Sequence, residues 1–400
     1  MAVSQLEAIK QEEESLLFRT YARYPIALDR GEGCRVWDYD GKEYLDLLAG
    51  IAVNGLGHCH PEIAETIAEQ AKKLIHVSNL FYQKEQLDLA RRILSTAHFN
   101  KVFFCNSGAE ANEAAIKLAR RYHQRVKNTN AYEIITFDHC FHGRTLATVA
   151  ATGQQRFQDG FAPMPEGFLQ IEFGDPALVE RAITNKTAAV LIEAIQGEGG
   201  VRPVTREYII AVQDICRKHG VLFMVDEVQC GMGRTGKWWG FQHFSIKPDI
   251  LTTAKSLANG LPMGAMMATE EIAKGFVTGS HATTFGAGAL VSAAAAKVFE
   301  IIERDNLLNH AATLGEWAKK RFLAIGDKLP GTIKGVRGYG LMIGIDLSFP
   351  GKDVWTALID KGFIVNLTQD TVLRLLPPLI VTQEQLETFA CALEDILSRR

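Results

Sequence analysis

The chain has 400 residues, 47% of them apolar and 22% charged, with a net charge of −3 at pH 7. Those proportions exclude a disordered chain and a membrane-embedded one, and the Lys and Arg residues are too evenly spread to form a basic face for nucleic acid. Small-molecule chemistry in a chain long enough for about two domains is what remains.

The N-terminal stretch MAVSQLEAIKQEEESLLFRT places Glu12, Glu13 and Glu14 where a signal peptide needs its apolar run, so no targeting segment is expected. Seven cysteines (34, 59, 105, 140, 216, 230 and 391), odd in number and without a C-x-x-C, suit a reducing compartment, and we expect a cytoplasmic protein. Further on, CRVWDYDGKEYLDLLAG reads as a hairpin turning at Asp40-Gly41.

From about residue 101, short apolar runs alternate with segments of helical period. The runs are KVFFCN, EIITFD, AAVLIEAI, VLFMVDEV, DILTTA and GAMMAT. Between them lie AEANEAAIKLARRYHQRV, PALVERAIT and REYIIAVQDICRKHG, whose apolar residues recur every three or four positions. Strands that are apolar throughout are covered on both faces, which predicts an α/β fold with a mostly parallel sheet between helices and ligands beyond the strand C-termini. The run FGAGALVSAAAAKVFEII, interrupted by Ser292 and Lys297, falls short of the ~20 apolar residues of a membrane span and reads as a buried helix. After about 330 the chain returns to strands and a terminal helix. We expect residues 51–299 to form a large α/β domain, and residues 1–50 and 300–400 a smaller α+β domain.

Three segments carry candidate chemistry. In KVFFCNSGAEANEAAIKLARR a strand runs through Asn106-Ser107-Gly108 into a helix with acids early and bases late. Ser107 is either a plain helix cap or, with Gly108 letting an anion approach the free amides, part of a phosphate seat. VLFMVDEVQ delivers Asp226 to the edge of the sheet, as a cap or ion-pair residue or as a partner for a ligand cation. Lys255, 29 residues later in DILTTAKSLANGLPMG, stands where a strand gives way to a glycine-bearing turn. A buried, unpaired ammonium is costly, so this lysine either reaches solvent or has a chemical task. Phosphate seat, acid and strand-end lysine together describe a site for pyridoxal phosphate: the amine condenses with the aldehyde, the acid keeps the ring nitrogen protonated, and the helix end holds the phosphate.

Other motifs compete. GMGRTG (231–236) fits the dinucleotide fingerprint G-x-G-x-x-G, but KWWGFQHFSIKPD after it lacks a helical face, which argues against a nicotinamide dehydrogenase. GHCHP and DHCFHG lack the spacing of a zinc site and read as turn or core histidines, so no metal is expected. Phe141 is a core ring or a face for a flat cofactor. Arg144 is a surface arginine or a fork for a substrate carboxylate.

The chain resembles the class III aminotransferases of the type I pyridoxal-phosphate fold, and most closely the acetylornithine aminotransferases. The resemblance runs over nearly its whole length through GIAVNGLGHCHP, NSGAEANEAAIKLAR, FHGRT, IEAIQGEGGV, DEVQCGMGRTG, PDILTTAKSLANGLPMGA and LRLLPPL. It implies that Lys255 is the cofactor-bound lysine and proton shuttle, that Asp226 meets the ring nitrogen, that Val228 and Phe141 cover the ring faces and that Gln229 reaches the ring hydroxyl. It assigns the phosphate to Ser107, Gly108 and Ala109, and Thr284 to the phosphate of a neighbouring subunit, hence a homodimer with Thr283 beside the substrate. Arg144 would hold the distal carboxylate of either substrate and Arg374 the second carboxylate of glutamate or 2-oxoglutarate, with Glu198 neutralising Arg374 otherwise; a fixed Glu198–Arg374 pair is the alternative. Tyr21 and Asn54 become substrate neighbours. Gly50, in LAGIAVN where ornithine aminotransferases carry an aromatic residue, leaves room for an N-acyl group and favours N2-acetylornithine over succinylornithine, ornithine or 4-aminobutyrate. Two departures, Ala194 in place of the family's proline and GAG in TTFGAGAL without the asparagine-proline that follows, bear on loop geometry.

Overall fold

The protein is described by a computed structural model covering residues 5–400. In chain order the strands are β1 (Leu28–Glu32), β2 (Arg35–Asp38) and β3 (Glu43–Asp46), then β4 (Lys101–Cys105), β5 (Glu133–Phe137), β6 (Phe168–Ile171) and β7 (Thr187–Glu193). A short hairpin, β8 (Ile195–Gln196) and β9 (Arg202–Pro203), precedes β10 (Leu222–Asp226), β11 (Ile250–Thr253) and β12 (Gly264–Ala268). The last set is β13 (Ile333–Tyr339), β14 (Met342–Leu347), β15 (Phe363–Ile364), β16 (Asn366–Thr368) and β17 (Val372–Leu375).

Seven strands form the central sheet in the order β4-β12-β11-β10-β7-β5-β6. From β6 to β11 all neighbours are parallel, while β12 runs antiparallel to both β11 and β4. The runs are apolar throughout because alternate side chains enter two different cores. Ala189, Leu191, Met224, Ile250 and Met266 pack with Ala114, Ala115, Leu118 and Ala119 of the helix Gly108–Arg125. Val190, Ile192, Phe223, Val225, Leu251 and Met267 face the opposite side and join the main core. The small alanines on the helix let it lie close against the strands, so its N-terminus is held rigidly at the sheet edge.

The N-terminal hairpin forms as the sequence indicates, with β2 and β3 antiparallel and the Asp38 carboxylate accepting from Asp40 N at 3.1 Å and Lys42 N at 2.8 Å. β15 pairs in parallel with β3, so the two ends of the chain share the four-stranded sheet β1-β2-β3-β15, beside a second sheet β13-β14-β17-β16. The alanine-rich run is the largely buried helix Ala289–Arg304, packed on the helices Pro61–Lys73 and Lys84–Ser95. Among the described residues no helix is long and apolar enough to cross a membrane.

The glycines of GMGRTG build turns and not a helix N-terminus; the next regular element is the short 3-10 turn Gly240–His243. The nicotinamide fingerprint therefore lacks the helix that would receive a pyrophosphate. Instead Arg234 is buried, and its Nη1 donates to the carbonyls of Leu341, at 3.2 Å, and Pro377, tying this loop to the C-terminal strands.

Candidate active site

β11 ends at Thr253; Ala254 follows with an extended φ, and Lys255 stands at φ +46°, the left-handed region that non-glycine residues rarely adopt. Strain of about 1 kcal/mol or more is held there by the surrounding turn. Ser256 Oγ donates to Ala52 O at 2.7 Å, and Asn259 Oδ1 accepts from Leu56 N at 2.8 Å. Lys255 has no hydrogen bond or ion pair to any described residue. Burial pulls its pKa below the usual lysine value, against the opposing pull of Glu198. A larger fraction of its amine is thus neutral near pH 7 than for a lysine in water.

Two carboxyl groups stand side by side, because Asp226 at the end of β10 is in register with Glu193 at the end of β7. Their surroundings differ. Asp226 Oδ2 accepts from Asn112 Nδ2 and from His142 Nδ1, both at 2.8 Å, and Oδ1 accepts from Val228 N at 2.9 Å. The Asn112 amide is oriented in turn by Thr252 Oγ1, which donates to its oxygen at 2.7 Å. Glu193 receives only the Phe141 amide, at 3.3 Å, and its Oε2 is buried without a partner. Burial raises its pKa far above the carboxylate range, so it is held protonated. Contrasting environments for paired acids separate a charged role from a neutral one.

The helix Gly108–Arg125 begins at Ser107, whose Oγ accepts from Glu110 N at 3.2 Å. The amides of its first turn have no intrahelical acceptor and carry the positive end of an 18-residue dipole. Gly108 lets Val228 lie against this end: a Cβ there would be 2.7 Å from Val228 Cγ1.

Arg374 on β17 is 1% exposed. It donates to Glu198 Oε1 at 2.6 Å, to Gln229 Oε1 at 3.2 Å and to Asn366 Oδ1 at 2.8 and 3.1 Å. Burial acts to raise the Glu198 pKa, but the Arg374 charge and hydrogen bond outweigh it and leave the value lowered. Arg144 is different, having no carboxylate partner among the described residues.

Ser107, Gly108, Ala109, Phe141, Arg144, Glu198, Asp226, Val228, Gln229 and Lys255 line a single cavity of about 390 Å³. Arg374 stands behind Glu198 and Gln229. Thr283 is joined to the rim by Asn106 Nδ2, which donates to its Oγ1 at 3.2 Å. Asn54 lies beside Gly260 with its neighbour Val53 on the lining. Thr284 is exposed and Tyr21 is 75% exposed, and neither lines the cavity.

Four residues of the site escape sequence reasoning. Asn112 sits inside an alanine stripe, where an amide on a buried helix face was the available signal. Glu193 ends an apolar run just as Asp226 does. His142, read as a turn or core histidine, is buried and also bonds Asp226, and Asn366 has no signal at all.

A helix N-terminus, an anchored carboxylate and an unpaired amine thus meet at the C-terminal edge of one sheet. Residues 18–397 match the family model for class-III aminotransferases. The acetylornithine aminotransferase of Methanocaldococcus jannaschii is 46% identical over 96% of this chain and 97% of its own, and that of Myxococcus xanthus 44% identical over 96% of each. Among solved structures, the ornithine aminotransferase of Toxoplasma gondii superimposes with a TM-score of 0.95 at 30% identity, covering 99% of this chain and 96% of its own. The acetylornithine aminotransferase of Elizabethkingia anophelis gives 0.88 at 32% identity over the full length of both. The chain belongs to the class-III aminotransferases, and it is a transaminase acting on small molecules.

Proposed function

We propose that this transaminase uses pyridoxal phosphate to move the δ-amino group of N2-acetylornithine to 2-oxoglutarate, giving N-acetylglutamate 5-semialdehyde and glutamate in arginine biosynthesis. The single observation that carries the substrate reading is the pairing of Arg374 with Glu198 beside the unpaired Arg144. One arginine is always available to a carboxylate, and the other becomes available only when Glu198 lets go. That suits a donor with one free carboxylate and an acceptor with two, since a buried guanidinium without a partner would be costly in one half-reaction. The full-length likeness to acetylornithine aminotransferases supports the acyl group.

The residues present fit the cofactor. The helix N-terminus at Ser107, Gly108 and Ala109 suits a phosphate; the Asp226 carboxylate, held by three donors with Oδ1 accepting only one of them, suits a protonated ring nitrogen; the unpartnered Lys255 amine suits an aldehyde. A crystal structure of the Toxoplasma gondii ornithine aminotransferase is described as having partial occupancy of the same cofactor at its active site. Ser107, Gly108 and Ala109 would take the phosphate, Val228 and Phe141 the two ring faces, and Gln229 the ring hydroxyl. When bound, the cofactor supplies an aldehyde and an electron-accepting ring. Lys255 Nζ, kept partly neutral by burial, takes the proton from the carbon that carries the transferred amine and later returns one. Asn112 and His142 hold the Asp226 carboxylate in place throughout.

Thr284 is read as reaching the cofactor phosphate across a homodimer interface, with Thr283 beside the substrate and Tyr21 and Asn54 as substrate neighbours. The surface next to Thr284 carries the exposed Phe285, Leu80, Phe81 and Tyr82, an apolar strip that an identical subunit would cover. We retain the division into residues 51–299 and the two chain ends, with the helix Ala289–Arg304 running across the boundary. A cytoplasmic location agrees with seven cysteines that are all free. In steady-state assays with 2-oxoglutarate, kcat/KM for N2-acetylornithine is expected to exceed that for ornithine and 4-aminobutyrate at least tenfold. A higher value for ornithine, succinylornithine or 4-aminobutyrate would reassign the donor.

A further inference from the structure

Arg144 presents five donors to the cavity and has no acid to hold them in place. What touches its guanidinium is aromatic: the Phe157 ring centroid lies 4.0 Å from Cζ and that of Phe141 5.6 Å. The two rings meet edge to face at 5.6 Å and 83°. Phe157 belongs to the short turn Gln155–Phe157, and flanking amides pin that turn on both sides. Gln154 Nε2 donates to His139 O at 3.3 Å and to Cys140 O at 3.2 Å. Gln158 Nε2 donates to Val149 O and Thr152 O, both at 3.2 Å.

A stacked ring constrains a guanidinium in a way that a carboxylate does not. An acid would engage the N–H edge, neutralise the charge and compete with substrate, whereas an aromatic face fixes the plane of the group and leaves its edge free. We propose that Phe157 is a positioning residue for substrate recognition: its ring sets the plane of the Arg144 guanidinium so that the N–H fork meets the substrate carboxylate remote from the reacting carbon. This inference rests on the reading of Arg144 as the carboxylate ligand. Phe157 itself touches neither the reacting atoms nor the residues that would hold the cofactor ring, apart from Phe141.

The test is a cycle on the holoenzyme with Phe157→Leu, Arg144→Gln and the double variant, reading KM and kcat for 2-oxoglutarate and the visible absorbance of the bound cofactor. Phe157→Leu is expected to raise KM about two- to tenfold, the range set by a cation–π contact of roughly 0.5–1.4 kcal/mol. Its kcat should stay within about twofold of wild type and its spectrum should not change, and Phe157→Tyr should restore KM. In the Arg144→Gln background the same substitution should add nothing. Should Phe157→Leu prove insoluble, Phe157→Met removes the ring with comparable bulk. The proposal fails if the ring-less variant leaves KM unchanged while Arg144→Gln raises it, or if its full effect persists without Arg144. An Arg144→Gln enzyme with normal KM would instead overturn the underlying reading of Arg144.

Discussion

Lys255→Ala is expected to lower transamination by at least about 10⁴-fold, the upper range for the loss of a general base, and to remove the visible band of a lysine-bound cofactor. The protein should nevertheless fold. Lys255 Nζ bonds to no described residue, and the substitution removes a desolvated ammonium while leaving the Cβ at this left-handed backbone position as it was. The thermal midpoint of the cofactor-free variant is therefore expected to equal or exceed that of cofactor-free wild type. Kinetics, absorbance and a melting curve on the same preparation check all three points. Retained activity with an intact band would mean that the catalytic amine lies elsewhere.

Asp226→Asn is expected to be the second most damaging change. Asparagine keeps the shape but offers one acceptor and two donors where three donors converge, from Asn112, His142 and the Val228 amide. It also removes the only member of the Asp226–Glu193 pair that is surrounded by donors, since Glu193 receives only the Phe141 amide. Loss of one partner of a buried charge pair costs about 2–5 kcal/mol. At ~1.36 kcal/mol per tenfold this predicts a fall in kcat/KM of roughly 30- to 5,000-fold, with weaker cofactor retention after dialysis. A kcat/KM within threefold of wild type would contradict the role given to this carboxylate.

What was legible in the sequence is what local rules determine. The apolar runs from β4 to β12 show their strands because both faces are buried, and Ser107-Gly108 shows its helix start because capping is a matter of a few consecutive residues. Strand direction is a different kind of fact. Nothing local in GAMMA makes β12 antiparallel between β11 and β4, and the pairing of β15 with β3 depends on residues more than 300 positions apart. The site divides in the same way. Asp226 ends an apolar run and Lys255 closely follows one, and a charged residue in either place is conspicuous. Asn112 and His142 become functional only once folding brings them within 2.8 Å of Asp226. Phe157 is similar, an aromatic residue in a polar stretch that acquires meaning only from the arginine stacked on it.

The proposed chemistry depends on a covalent attachment of the cofactor aldehyde to one side chain. Borohydride reduction of the holoprotein, followed by digestion and peptide mass spectrometry, is expected to place one reduced pyridoxyl-phosphate adduct per chain on the peptide containing Lys255. An adduct on a different lysine, or an unmodified Lys255 peptide from protein that shows full activity, would contradict it.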